Sequence, residues 1–298
     1  MKLIKPSYEI LEQSSGLEGI YKAIEIAGRT CYKSLDKITD NSAEGFVNRM
    51  IASKHYAMLE HGTVYLKVPN EVVDKGFQSG NNWSTLCGNP YTKCISDGKY
   101  YYFTTNYRVI IENNLQEVLE YLCEPTEHHE KRVAVRFTTD RGVSHEFVRH
   151  RVFSFAMEST RYCNYSKDKF NNKITFIIPS WMNMEESNVT TDSFGVPVKP
   201  GEETCDFLSV LGNAEKNYFR LINKGWKPQQ ARQILPNALK TELVMTGFVS
   251  DWEHFFRLRT SIIAETGNPH PDASALADPL YREFILRNYL EPIPLKNI

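Results

Sequence analysis

The chain has 298 residues, enough for one large domain or two small ones, and this length alone excludes few classes of protein. Its 35 lysines and arginines balance 36 aspartates and glutamates, so no overall field favours nucleic acid or an anionic membrane as a partner. Any anion that the protein binds must therefore be held by a local group of cations.

The composition also predicts the compartment and the state of the thiols. No run of about eighteen apolar residues occurs, and the N-terminal segment lacks the features of a signal peptide, which predicts a cytoplasmic protein without a membrane span. The six cysteines are scattered, with no CxxC pair and no histidine at zinc-finger spacing. We expect reduced, mostly structural thiols and no metal site.

In the first half of the chain, a short N-terminal strand precedes two helices at 16–32 and 42–56, where apolar residues recur at helical spacing. Segments rich in aromatic and β-branched residues are predicted to be strands: 63–69, 99–105 and 132–139. Residues 79–98 contain enough Gly, Asn, Ser and Pro to predict a surface loop.

In the second half, helical periodicity occurs at 106–124 and 204–225, and Gly225 has the position of a C-terminal capping glycine. A loop is predicted before the second of these helices, at 186–202. The last third adds a short helix, a β-branched strand, the segment SDWEHFFRLRTS and a final helix: 227–235, 242–249, 250–261 and about 273–289. Because we find no repeat and no linker, we predict one α/β domain over residues 1–298.

Arginine is concentrated in one stretch without lysine. Five of the fifteen arginines fall within residues 136–161: Arg136, Arg141, Arg149, Arg151 and Arg161. An arginine offers a rigid fork of donors that matches phosphate or carboxylate, and it keeps its charge. The stretch therefore predicts recognition of a phosphate or a planar ligand.

A simpler interpretation is that these arginines form surface ion pairs with Asp140, Glu146 and Glu158. Apolar residues alternate with the charges, however, and should draw the backbone inward, where arginines need anionic partners. If residues 145–152 are helical, Arg149, His150 and Arg151 point about 100° apart and cannot all bind one small ligand. They could instead lie between two ligands, or between a ligand and a neighbouring subunit.

The stretch RHRVFSFAMES resembles the RHR-x7-S signature of the flavin-dependent thymidylate synthases, with Arg149, His150, Arg151 and Ser159 at its fixed positions. Six further motifs occur in the order found in that family: GRTCY, LEH ending at His61, STRY, ARQILP, HFFRLR and PHPDA. The resemblance thus extends over nearly the whole chain.

The resemblance implies an α+β fold with a central, mainly antiparallel sheet flanked by helices. It implies conversion of deoxyuridine monophosphate (dUMP) to thymidine monophosphate (dTMP). The one-carbon unit comes from 5,10-methylenetetrahydrofolate and the hydride from NADPH through bound FAD. It also implies a homotetramer with active sites between subunits, and lengthening relative to compact members near 78–99 and 183–203.

The resemblance assigns roles to individual residues. The residues expected to contact FAD are His61 and Thr63 from one subunit, and Arg149, His150, Arg151, Glu158 and His254. The residues expected to bind dUMP are Glu146, Arg149, Glu158, Ser159, Thr160, Arg161, Arg232 and Arg259. Without the family, His61 would be interpreted equally well as a hydrogen-bonded core histidine.

Arg259 and Ser159 are the expected catalytic residues. The family's matching arginine lies against the uracil edge, where a fixed guanidinium favours the ring without its N3 proton and makes C5 a better nucleophile. This route needs no cysteine attacking C6, so Cys163 is not expected to be catalytic.

Two departures from the family pattern affect these expectations. Many members have Gln where this chain has Glu146, whose charge would repel a phosphate unless an arginine offsets it. Many also read Asn-Glu-x-Ser before the signature serine, where this chain reads AMES, so either Met157 or Glu158 takes the place of the family glutamate. Two other hypotheses are a flavin-binding homologue without synthase activity and a single-stranded nucleic-acid-binding module using Phe153, Phe155 and Tyr162.

Overall fold

The structure is a computed structural model and describes residues 1–79, 82–161, 163–167, 170–189, 204–265 and 267–294. Its strands are β1 (Lys2–Ile4), β2 (Ser7–Leu11), β3 (Thr63–Pro69), β4 (Lys93–Ser96), β5 (Tyr100–Asn106), β6 (Arg132–Asp140), β7 (Ser154–Met157), β8 (Thr175–Ile177), β9 (Ser187–Asn188) and β10 (Lys240–Phe248). Its helices are α1 (Gly16–Tyr32), α2 (Ser42–Ala52), α3 (Asn70–Ser79), α4 (Asn82–Cys87), α5 (Tyr107–Glu112), α6 (Arg141–Phe147), α7 (Cys205–Asn223), α8 (Pro228–Ala231), α9 (Val249–Arg259) and α10 (Pro271–Leu286).

A four-stranded antiparallel sheet in the order β2-β6-β10-β7 positions the site. β6 and β10 pair over nine residues, from Arg132 opposite Phe248 to Asp140 opposite Lys240. The aromatic side chains beneath this sheet come from β6, α6, α9 and α10 and are buried together: Phe137, Phe147, Trp252, Phe255, Phe256 and Phe284. Burial of this aromatic core fixes α6 and α9 against the sheet, and with them the residues at the ends of these helices.

The other described strands form two three-stranded sheets. One is antiparallel, in the order β3-β5-β4, and packs against α1, α2 and a 3-10 segment, Tyr56–His61. The other has the order β8-β1-β9, with β1 parallel to β8, and packs against α7. No helix in the described ranges is long and apolar enough to cross a bilayer.

Most sequence predictions are confirmed, including the mixed α/β class with antiparallel sheets flanked by helices and the positive φ of Gly225, 89°. The helix predicted at 106–124 is interrupted at Asn113, and Asn114 has the left-handed φ of 55°. The loop prediction for 79–98 is wrong in its described part, where α4 and β4 form. Most of the predicted loop at 186–202, and residues 190–203 of the lengthened region, lie outside the described residues. That residues 1–298 form one domain stays a prediction.

Candidate active site

The predicted site residues lie mainly at the two ends of β7, an edge strand of the four-stranded sheet. Asp140 caps α6 by accepting a hydrogen bond from the Val143 amide at 2.9 Å, and α6 ends at Phe147. Residues 149–151 therefore lie in the turn between α6 and β7, so the helix considered for 145–152 does not extend that far. Residues 158–161 follow β7. The four residues of β7, which span roughly 13 Å at roughly 3.3 Å per residue, lie between the two groups in the chain.

Arg259, at the end of α9, contacts the turn through all three guanidinium nitrogens. Nη1 donates to Oε2 of Glu146 at 2.6 Å, Nη2 donates to the backbone oxygen of Glu146 at 3.0 Å, and Nε donates to Nε2 of His150 at 3.1 Å. One hydrogen on Nη1 and one on Nη2 remain beyond these three bonds. The protein thus orients Arg259 and leaves it two further donors.

His150 is buried and neutral. Because arginine only donates, Nε2 of His150 accepts the bond from Arg259, and the ring proton is on Nδ1. Burial, and then the charge of Arg259, lower the pKa of His150 to about 4. The ring of His254, an exposed residue of α9, lies 6.1 Å from the ring of His150. The first group of predicted residues thus comes together at one place: Glu146, His150, His254 and Arg259.

Arg149 and Arg151 are exposed in the same turn. Within the described residues neither side chain forms a hydrogen bond or an ion pair, and the charge of Arg149 contributes to lowering the pKa of Arg259 after burial. The carboxylates considered as their partners are engaged elsewhere, since Glu146 pairs with Arg259 and Glu158 with Lys240. The hypothesis of surface ion pairs therefore does not account for these two arginines.

The second group lies beyond β7, near α8. Nη1 of Arg232 donates to Oγ1 of Thr160 at 2.9 Å, and Nε of Arg161 donates to Oε1 of Gln229 at 3.1 Å. The Ser159 amide donates to the backbone oxygen of Cys31 at 3.0 Å, which fixes this residue against the end of α1. Two hydroxyls and two guanidinium groups in one place can surround a phosphate.

Glu158 belongs to a buried group of charges that sequence reasoning missed. Its side chain is 2% exposed, and its Oε2 lies 2.9 Å from Nζ of Lys240 and 3.7 Å from Nζ of Lys33. Both lysines also pair with Glu242, so two carboxylates face two ammonium groups. Met157 points to the other face of β7 and packs against the aromatic core. A contact from Glu158 to a ligand stays a prediction, and any such ligand competes with two lysines.

His61 and Thr63 lie at the start of β3, beside β10. His61 is 2% exposed, and its Nδ1 lies 2.8 Å from Oγ1 of Thr246. Burial, and then the charge of Arg132, lower the pKa of His61 to about 3, so the ring is neutral. Thr63 accepts a hydrogen bond from Nη1 of Arg132 at 3.3 Å. Sequence reasoning missed Arg132 because an arginine inside a predicted strand is ordinarily a solvent-facing residue.

Comparisons with known proteins agree on one family. A family model described as thymidylate synthase complementing protein matches residues 108–285. A flavin-dependent thymidylate synthase of Pyrococcus furiosus is 29% identical over 150 residues, which are 50% of this chain and 54% of that protein, so the match spans about half of the relative. One of Corynebacterium aurimucosum is 24% identical over 263 residues, 87% of this chain and 74% of that protein.

Among solved structures, a UMP/dUMP methylase of Streptomyces cacaoi aligns with a TM-score of 0.46 and 14% identity, over 96% of this chain and 93% of that chain. The family match covers more than half of this chain and includes α6, the turn at 149–151, β7 and α9. His61 and Thr63 lie outside it. On this match, the chain belongs to the flavin-dependent thymidylate synthase family.

Proposed function

We propose that the protein converts dUMP to dTMP, with 5,10-methylenetetrahydrofolate as the one-carbon donor and NADPH as the source of the hydride, which reaches the substrate through FAD. Tetrahydrofolate is the second product. The observation that carries this proposal is the orientation of Arg259 by Glu146 and His150, which leaves two guanidinium donors for a ligand. These donors suit the edge of a uracil ring.

Arg259 is the residue to which we assign activation of uracil. Burial lowers its pKa and Glu146 raises it, and an arginine stays charged at neutral pH. A fixed cation at the uracil edge favours the ring without its N3 proton and raises the electron density at C5. No thiol is needed for this step, and Cys163 is 2% exposed.

We assign FAD to the turn between α6 and β7. Arg149 and Arg151 are exposed there without an acidic partner among the described residues, which suits the phosphates of the cofactor. His150 and His254 would contact FAD from the same side, and His61 and Thr63 from another subunit. When bound, FAD supplies the hydride that completes the new methyl group.

We assign the nucleotide phosphate to Ser159, Thr160, Arg161 and Arg232. Within one chain, Arg259 lies near the start of β7 and this group lies beyond its end. We therefore propose that each active site takes Arg259 from one chain and the phosphate group from another, in a homotetramer.

The test is chromatographic detection of dTMP after incubation of the purified protein with dUMP, methylenetetrahydrofolate, NADPH and FAD. The proposal predicts product only when FAD is present, and a parallel reaction without folate must give none. Absence of product from folded protein that binds FAD would contradict the proposal and favour a flavin-binding homologue without synthase activity.

A further inference from the structure

Four charged side chains, which we call the buried quartet, meet where α1, β7 and β10 come together: Lys33, Glu158, Lys240 and Glu242. Oε2 of Glu158 lies 2.9 Å from Nζ of Lys240 and 3.7 Å from Nζ of Lys33. Oε1 of Glu242 lies 2.5 Å from Nζ of Lys240 and also pairs with Lys33. The four side chains are between 2% and 21% exposed, so water screens these charges weakly.

The quartet has no net charge when its four groups are ionised. Burial raises the pKa of Glu242, but Lys240 and Lys33 outweigh burial and lower this pKa to about 2, so the carboxylate is ionised at neutral pH. Burial lowers the pKa of Lys33, yet each ammonium group faces two carboxylates, which favour its charged form. Removal of one charged group therefore leaves a buried, uncompensated charge.

The quartet is joined to the segment assigned to the nucleotide phosphate. The Glu158 amide donates to the backbone oxygen of Glu242 at 2.8 Å, and the next amide, that of Ser159, donates to the backbone oxygen of Cys31 at 3.0 Å. Consecutive Cα atoms are about 3.8 Å apart, so the charge of Glu158 lies close to an anion bound at Ser159. A carboxylate in this position repels a phosphate unless nearby cations offset it.

We infer that Lys33 and Lys240 neutralise the two carboxylates beside the phosphate segment and so set its affinity for the phosphate of the nucleotide. The inference rests on the proposed binding of dUMP and adds two positioning residues, which act through Glu158 and Glu242 rather than by contact with the nucleotide. Because the quartet acts through its net charge, the sign of a change in that charge determines whether phosphate binds more weakly or more tightly.

The test measures the Kd of dUMP by isothermal titration calorimetry for the FAD-loaded wild type and three variants of the quartet. Lys240→Met leaves one net negative charge and should weaken dUMP binding about tenfold, whereas Glu242→Gln leaves one net positive charge and should tighten binding about as much. The double variant Lys240→Met/Glu242→Gln is again neutral and should bind dUMP as the wild type does. A merely structural role predicts weaker binding in all three variants.

Two controls separate the charge effect from other causes. Deoxyuridine lacks the phosphate, so its affinity, measured by competition against dUMP, should be nearly the same in the wild type and the variants. Lys22→Met removes the same charge from an exposed ion pair with Glu18 on α1 and should leave dUMP binding unchanged. Lys33→Met repeats the charge change at the more exposed lysine of the quartet and should also weaken dUMP binding, so the test does not depend on the folding of Lys240→Met.

The outcomes distinguish this inference from the proposed function. Wild-type affinity for dUMP in both Lys240→Met and Lys33→Met would overturn the inference and leave the proposed function intact. Weaker binding of dUMP to Glu242→Gln, or an equal loss of deoxyuridine and dUMP affinity in Lys240→Met, would do the same. A wild-type protein that binds no dUMP would overturn both.

Discussion

The carboxylate of Glu146 lies 2.6 Å from Nη1 of Arg259, and the backbone oxygen of the same residue lies 3.0 Å from Nη2. Glu146 brings a negative charge to a position where the resemblance places a substrate phosphate nearby. The structure shows that this charge is offset by the arginine assigned to uracil. Glu146 therefore acts on the substrate through Arg259, whose orientation and net local charge it sets.

Glu146→Gln should lower the KM for dUMP. The amide oxygen can still accept from Nη1 of Arg259, so the orientation is retained, while the site gains one unit of positive charge. A partly exposed ion pair contributes about 0.2–1 kcal/mol, which corresponds to a KM up to about fivefold lower. Steady-state kinetics at varied dUMP concentration measure the KM of Glu146→Gln and of the wild type. Glu253→Gln, which removes the same charge beside Arg257, is the control, and a raised KM in Glu146→Gln would contradict this role.

Arg259→Ala should abolish dTMP formation and leave the absorption spectrum of bound FAD intact. Removal of one preorganised donor to a developing charge costs about 100-fold or more in kcat. The comparison is Arg257→Ala on the same helix, since Arg257 pairs with Glu253 and Glu265 and faces no assigned ligand. Full activity of Arg259→Ala would remove the proposed activation of uracil.

Arg161→Ala should mainly raise the KM for dUMP. A charge-assisted hydrogen bond to phosphate contributes about 1.5–3 kcal/mol, which predicts a KM about 10- to 100-fold higher with kcat changed less. Gln229→Ala removes one protein partner of Arg161 without changing its charge and serves as the control. If KM for dUMP stays at the wild-type value in Arg161→Ala, this arginine does not bind the phosphate.

Stability should depend on pH through His61. In the unfolded chain its pKa is about 6.5, whereas burial and then Arg132 lower the folded pKa to about 3. As the pH falls, the unfolded state therefore takes up the proton first. The stabilisation that neutral His61 contributes to the folded state above about pH 6.5 is lost as the pH falls towards about 3. Between about pH 7.5 and about pH 5 this loss is about 2 kcal/mol.

Urea unfolding of the wild type and of His61→Gln at these two pH values measures this contribution. Glutamine cannot take up the proton and can still hydrogen-bond to Thr246, so the variant should lose about 2 kcal/mol less than the wild type. Equal losses in the two proteins would show that the protonation of His61 does not control acid stability.

The regular elements were predictable because their patterns are local. The helix periodicity of α1 and α7 and the β-branched residues of β6 and β10 are each contained in one stretch. α4 and β4 were missed because they are short and lie in a segment, 79–98, that is rich in Asn, Ser and Gly; tertiary packing stabilises them, as Trp83 stacked on Phe103 shows. The partners of a buried charged residue are also distant from it in the sequence. Glu158 with Lys33 and Lys240, and His61 with Arg132, come from distant parts of the chain, which only the folded sheet brings together.

The most direct test of the account is complementation between two variants with impaired sites, because it asks whether Arg259 and the phosphate group act on one nucleotide from different chains. Arg259→Ala and Arg161→Ala chains are co-expressed with different tags, and the mixed oligomer is assayed for dTMP at dUMP concentrations far below the KM of the Arg161 variant. Random assembly leaves about one quarter of the shared sites with both groups intact, so the account predicts about a quarter of wild-type activity. Activity no higher than the average of the two parent variants would show that the two groups do not form one site across subunits.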